Sequence, residues 1–210
     1  MQVRRIASLV VAWLSFLTAS FSGTAALSED GIETIVFIRH GEKPESGLGQ
    51  LNCQGLNRAL ALPSVMANSF GSSDAIFVPN LCIPKEDAGK PYDYVRPLAT
   101  VEPTAILFGL PIDASIGVSD IEGLKAALER PLSLHRNTLI LVAWEHKEIV
   151  AIAKELLAAH GGDPAVVPKW HGDDFDSIYI VSLSVADFPT KTSFAREHEN
   201  LDGQPETCPR

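Results

Sequence analysis

Arg39-His40-Gly41-Glu42 follows directly on the apolar run Ile35-Val36-Phe37-Ile38, and this position limits the chemistry that the tetrapeptide can do. A β-branched run of this length reads as a buried strand, so the tetrapeptide stands at the strand's carboxyl end. In open α/β sheets that end is where ligands bind. A histidine beside an arginine makes a poor metal ligand, because the guanidinium keeps its charge and repels a cation. The same pair suits an anion: arginine offers a rigid fork of donors, and imidazole adds a nucleophile or a further donor. Taken alone, the motif is equally well explained as a strand-end histidine making ordinary hydrogen bonds.

Two further segments shift that balance. In Tyr94-Val95-Arg96-Pro97-Leu98-Ala99-Thr100, Arg96 opens a helical pattern, where free backbone N–H groups and the helix dipole already favour an anion. In Leu139-Ile140-Leu141-Val142-Ala143-Trp144-Glu145-His146, a second buried run ends in histidine, with a helix starting at once. Cationic or imidazole residues thus recur at the ends of strand-led segments, on what a parallel sheet makes a single rim. Solvation explains one such residue well and three poorly. Lys43 and Arg58 are placed to extend the basic pocket, although a helix-face arginine such as Arg58 is more often solvated. His135, His160, His171 and His198 have no comparable context and read as surface or loop residues.

The elements that must position these groups follow from periodicity. Strands are expected near Thr34–Arg39, Ala75–Pro79, Leu139–Trp144 and Ser177–Ser182. Helical spacing runs from Asn52 to about Asn68, from Arg96 to Phe108 with Pro103 kinking or interrupting it, and from Ile149 to Leu157 with Gly161-Gly162 as its stop. Ser119-Asp120-Ile121-Glu122 has the form of a capping box opening a helix to about Arg130. Strands alternating with helices predict an α/β fold: a three-layer α/β/α sandwich around a mostly parallel sheet.

The first 26 residues read as a targeting segment: Arg4 and Arg5, an apolar stretch from Ile6 to about Phe21, then small residues, with cleavage after Ala25 or Ala26. Residues 27–210 are then expected to form one domain, with 197–210 as an irregular tail. Cleavage removes two arginines and no acid, moving the formal charge from −9 to −11. So acidic a chain argues against nucleic acid and anionic lipid as partners, and any phosphate site must be a local basic pocket. No stable membrane insertion is expected after cleavage, and the chain is placed outside the cytoplasm, periplasmic or secreted. Cys53, Cys82 and Cys208 lack metal-type spacing and allow one disulfide and one spare thiol in an oxidising compartment, with Cys208 able to pair with either of the others.

From about Glu33 to Ser184 the chain resembles the histidine phosphatase superfamily, whose fold is called phosphoglycerate mutase-like. The resemblance rests on Phe37-Ile38-Arg39-His40-Gly41-Glu42-Lys43-Pro44, on Gly49-Gln50-Leu51-Asn52 with Gly55-Leu56-Asn57-Arg58-Ala59, on Arg96 with Thr100, and on Val142 to His146. It implies that His40 is the nucleophile, and that Arg39, Arg96 and His146 hold the phosphoryl oxygens. Asn80 stands where the family often has serine and is a further phosphate donor. The proton donor stays open. Glu148 lies two residues beyond the second histidine, as in larger phosphatases of the superfamily, and ranks first. Glu122 matches the mutase-like position, and Asp174 lies in the carboxylate-rich segment Trp170–Asp176.

The resemblance therefore implies a histidine acid phosphatase-type phosphoric monoester hydrolase, acting on a small phosphorylated substrate without cofactor or metal. Two arginines and an imidazolium supply the charge that phosphoryl transfer needs. The alternative is a catalytically silent phosphoester-binding module or sensor of the same fold.

Overall fold

The computed structural model describes residues 31–130, 137–184 and 191–210. The segment read as a signal peptide, its cleavage site and His135 lie outside the described residues.

The apolar run after Gly31 forms β1 (Ile32–Arg39), and it is flanked on both sides by other strands. The other elements, in chain order, are α1 (Cys53–Ser69), β2 (Ala75–Pro79), β3 (Lys85–Asp87), β4 (Lys90–Tyr92), α2 (Arg96–Phe108), β5 (Ile112–Ile116), α3 (Ile121–Leu128), β6 (Thr138–Trp144), α4 (His146–Ala159), β7 (Ser177–Ser184) and β8 (Thr192–His198). The main sheet has the order β5-β2-β6-β1-β7-β8. Strands β5, β2, β6 and β1 run parallel, β7 runs against β1, and β8 runs against β7.

Alternation within β1 and β6 builds two cores. Ile35, Phe37, Ile140, Val142 and Trp144 face one side and meet the apolar stripe Ile149, Ile152, Ala153 and Leu156 of α4. Val36, Ile38, Leu141 and Ala143 face the other side, with Leu62 and Met66 of α1 and Val101 and Ala105 of α2. A sheet covered on both faces needs strands apolar at every position, which is why these runs lack a polar alternate. The three layers are as the periodicity predicts.

The departures are local. The edge strand β5 carries polar residues at alternate positions, and β8 is polar at five of its seven positions with its last four residues exposed, so neither resembles a buried strand in sequence. The cap of α3 is Asp120, which accepts from Gly123 N at 2.9 Å, rather than a box between Ser119 and Glu122, and α3 ends at Leu128. Helix α2 continues through Pro103 to Phe108 and closes on Gly109 in the left-handed region. Burial of Val101 and Ala105 on the sheet outweighs the local cost of proline there.

The carboxyl tail is tied back to the start of α1. Cys53 is paired with Cys208 across a separation of 155 residues, and Asn57 Nδ2 donates to the carbonyls of Pro205 (2.7 Å) and Thr207 (2.9 Å). Cys82 is the free, exposed thiol. Closing so long a loop restricts the unfolded chain, so Cys208→Ser is expected to lower stability by about 2–4 kcal/mol in urea or thermal unfolding.

Candidate active site

Strand β1 leads into α1 on one face of the sheet, while its neighbour β6 leads into α4 on the other. Adjacent parallel strands whose helices leave on opposite faces open a crevice at their carboxyl ends. The register pairs Arg39 with Trp144, and His40 N donates to Trp144 O at 3.3 Å. The segments Arg39-His40 and Glu145-His146 therefore lie side by side at the mouth of that crevice. Because β7 is antiparallel to β1, the loop before β7 also arrives at this rim, bringing Gly172 to Phe175.

His40 is the centre of the cluster. Its Nδ1 lies 2.7 Å from Gly41 O, so the neutral ring donates there and leaves Nε2 with its lone pair free. Tyr94 meets the ring edge-on at 5.8 Å, and Phe175 lies 6.1 Å away. Burial, joined by the positive charges of Arg96 and Arg39, pushes the pKa of His40 down to about 3 against the pull of the Gly41 carbonyl. The imidazole is consequently neutral over the whole ordinary pH range.

Two arginines flank it. Arg39 Nη1 donates to the carbonyls of Gly172 and Asp174, each at 2.8 Å, and its guanidinium lies 3.8 Å over the Phe175 ring. Burial lowers its pKa from the ordinary value, with Glu145 the largest opposing influence, but a guanidinium stays charged in proteins. Arg96 is the first residue of α2 and lies 4.8 Å over Tyr94. The Nε atoms of both arginines are buried and make no hydrogen bond within the protein.

The local sequence explains how α2 reaches the site. Val95 N and Arg96 N donate to Gly49 O at 3.0 and 3.1 Å. Gly49 has φ of 70°, and a Cβ there would fall 2.2 Å from Asp93 O, so only glycine allows the approach. Thr100 then links the helix to the nucleophile: its hydroxyl donates to Arg96 O (2.8 Å) and accepts from Gly41 N (2.9 Å).

His146 opens α4, with Nδ1 2.9 Å from Glu145 Oε1, an ion-pair separation rather than a well-aligned hydrogen bond. Glu145 Oε2 caps the helix by accepting from Lys147 N (2.7 Å) and Glu148 N (3.2 Å). Burial would raise the Glu145 pKa, but His146, Lys85 and the Lys147 amide outweigh it and hold it at about 2.

The structure thus gathers Arg39, His40, Arg96 and His146 on one rim, with Lys43. Other expected positions differ. Arg58 is fully buried and faces four carboxylates rather than the pocket: Glu42 (3.1, 3.0 and 2.8 Å), Asp176 (3.2 Å), Glu199 (2.7 Å) and Asp202 (3.0 Å). Asn80 is turned to the far side of β2: its amide donates to Ser115 O at 3.3 Å and its carbonyl accepts from Cys82 N at 2.8 Å. Glu122 is exposed on the first turn of α3. Glu148 is half-buried and meets the cluster through its backbone N–H. Asp174 positions Arg39 through its carbonyl, while its carboxylate binds Ser177 (N 3.0 Å, Oγ 2.6 Å), Asp176 N (3.1 Å) and Arg196 (3.2 Å). Those donors hold it below the ordinary carboxylate range despite burial.

Sequence reasoning missed Glu145, Tyr94, Phe175 and Asp87. Glu145 carried a signal, since an acid immediately before a helix start is a natural cap. Asp87 carried none: it lies in the short polar segment Leu81–Tyr94, where no apolar periodicity points to an element. That segment instead forms the β3–β4 hairpin, and His40 and Arg96 are buried, 2% and 3% exposed.

No family model matches this sequence, and no curated protein is similar to it in sequence. Solved structures do match. A mycobacterial glucosyl-3-phosphoglycerate phosphatase aligns with a TM-score of 0.54 at 15% identity, over 77% of this chain and 96% of that one. A phosphoglycerate mutase from Plasmodium falciparum aligns at 0.51 and 14%, over 80% and 90%. The protein histidine phosphatase SixA, complexed with tungstate, aligns at 0.50 and 13%, over 79% and 97%. The chain has the phosphoglycerate mutase-like fold.

Proposed function

We propose that this chain, having the phosphoglycerate mutase-like fold, is a histidine phosphatase: a phosphomonoester hydrolase that works through a phosphohistidine on His40 and needs no metal ion. The observation that carries this reading is the state of His40. Its Nδ1 is bound to Gly41 O, its pKa is depressed to about 3, and Nε2 is left as a neutral nucleophile between two buried guanidinium groups. Three of the solved structures with this fold have phosphatase or mutase names, which supports the same chemistry.

In the first step Nε2 bonds to phosphorus as the ester P–O bond breaks in line with it. Arg39, Arg96 and His146 hold the three equatorial oxygens and stabilise their charge. In the second step water attacks phosphorus, the N–P bond breaks, and phosphate leaves. Splitting hydrolysis in this way replaces one difficult step with two easier ones.

The substrate is a small phosphate monoester. A chain of formal charge −9 repels nucleic acid, and the buried site under the hairpin suits a small group. The Cys53–Cys208 pair supports an exported, periplasmic or secreted protein, because such bonds persist in oxidising compartments.

Hydrolysis of p-nitrophenyl phosphate in the presence of chelator tests the reading. The expected result is undiminished turnover and a phosphoenzyme that is stable to base and labile to acid. Turnover without a trappable phosphohistidine would overturn the mechanism. Phosphate binding without turnover would favour the silent module.

A further inference from the structure

We propose that Asp87 is the proton donor to the leaving oxygen, an assignment that rests on the phosphatase reading above. The β3–β4 hairpin delivers this residue to the site. Asp87 pairs with Lys90 across a turn made by Ala88 (φ 51°) and Gly89 (φ 76°), the two-residue geometry that suits strand twist. The chain after β1 packs flush against it: a Cβ on Gly47, at φ 83°, would lie 2.8 Å from Asp87 Cγ.

The carboxylate, only 6% exposed, bridges two cations: Oδ1 binds Lys43 Nζ and Oδ2 binds Arg96 Nη1. Lys43 lies three residues beyond the nucleophile, and Arg96 is one of the groups that would grip the phosphate. A phosphoryl group drawn to Arg96 therefore arrives against Asp87. Two anions on one guanidinium repel, and the repulsion is relieved when the carboxylate takes up a proton. Burial and the incoming anion both act in this direction, while Lys43 and Arg96 hold the group below the ordinary carboxylate range before substrate arrives. Binding substrate thus loads the proton where an ester oxygen will need it. The nearby carboxylates are otherwise engaged: Glu145 by the α4 amides, Asp174 by Ser177, and Glu42 by Arg58.

The protons balance over one turnover. As Nε2–P forms and the ester P–O bond breaks, the Asp87 proton moves to the departing oxygen, giving a neutral alcohol and a carboxylate. As water attacks phosphorus, that carboxylate takes the water's proton, the N–P bond breaks, and the acid form returns.

The charged groups that meet Asp87 are Lys43 from the loop after β1 and Arg96 from α2, and its register partner across the hairpin is the exposed Lys90. Steady-state kinetics with glycerol phosphate and p-nitrophenyl phosphate, the second having a leaving group that needs no proton, test the role. Asp87→Asn is expected to lower kcat on glycerol phosphate by about 10²–10³-fold, to lower it far less on the aryl ester, and to abolish the fall of kcat at high pH. Asp87→Glu restores part of the alkyl activity. Equal losses on both esters would overturn the proposal, as would a gain on both with tighter vanadate binding, the mark of a mere anion plug. Should the Asn variant fail to fold, the pH profiles of the unaltered protein decide. A high-pH fall of kcat for glycerol phosphate alone supports the role, and identical profiles overturn it. Unaltered protein that hydrolyses neither ester would overturn the phosphatase reading as well, whereas its turnover with equal losses in Asp87→Asn overturns the acid role alone.

Discussion

Replacing His40 by alanine is expected to lower kcat by at least about 10⁴-fold, because removing a nucleophile leaves only binding and electrostatic assistance to water. The loss is expected in kcat rather than in affinity for phosphate, since Arg39, Arg96 and His146 are attached to other elements. Arg39 is fixed by the Gly172 and Asp174 carbonyls, Arg96 by the Gly49-bound start of α2, and His146 by Glu145. Vanadate binding by the inactive variant, measured calorimetrically, checks this. Near-normal turnover in the variant would remove His40 from the mechanism.

The same residue has a pH signature. Its folded pKa of about 3 lies well below that of an unfolded histidine, about 6.5. Between those values the unfolded chain binds the extra proton, so His40 costs stability progressively as pH falls through that window. Above it the contribution is fully favourable. Thermal unfolding of the parent protein and His40→Ala at pH 7 and pH 4 should show the parent losing more on acidification. Turnover, for its part, is not limited by His40 protonation until near pH 3.

Arg58→Ala is expected to cost about 3–5 kcal/mol, the scale for removing one partner from a buried charge cluster. A domain of ordinary stability has only about 5–15 kcal/mol to lose. The guanidinium is the common partner of Glu42 in the segment after His40, Asp176 at the start of β7, and Glu199 and Asp202 in the tail. Burial opposes the charge on Arg58, but Glu42 and Glu199 outweigh it and raise its pKa. Glu199 is fully buried with Oε1 unpartnered, and burial pushes its pKa up to about 8 despite Arg58. Without Arg58, Glu42, Asp176 and Asp202 lose the cation they share at one point of the fold. Urea midpoints at pH 7 measure the deficit; a loss below about 1 kcal/mol would show that the cluster does not brace the rim.

The central strands and the identity of the cationic groups are written in the chain's own pattern. Runs such as Ile35–Ile38 and Ile140–Trp144 have no polar alternate, so they can be satisfied only between two covered faces, and the residues directly after them must lie on a rim. Arg39, His40, Arg96 and His146 were legible because their types and positions at element ends are local properties. Which charges meet is a matter of packing between distant segments. Arg58 and Arg96 look alike in sequence, each in a helical pattern with leucine and alanine close by. Yet Arg58 is closed off by residues 16 to 144 positions away, and Arg96 stays beside the nucleophile. Glu145, Asp174 and Asp87 are three acids near one rim, and only long-range packing separates a helix cap, a carbonyl prop for Arg39 and a carboxylate between two cations. Edge strands such as β8 and the hairpin that carries Asp87 stayed illegible for the same reason: partners distant in the chain, not periodicity, hold them in place.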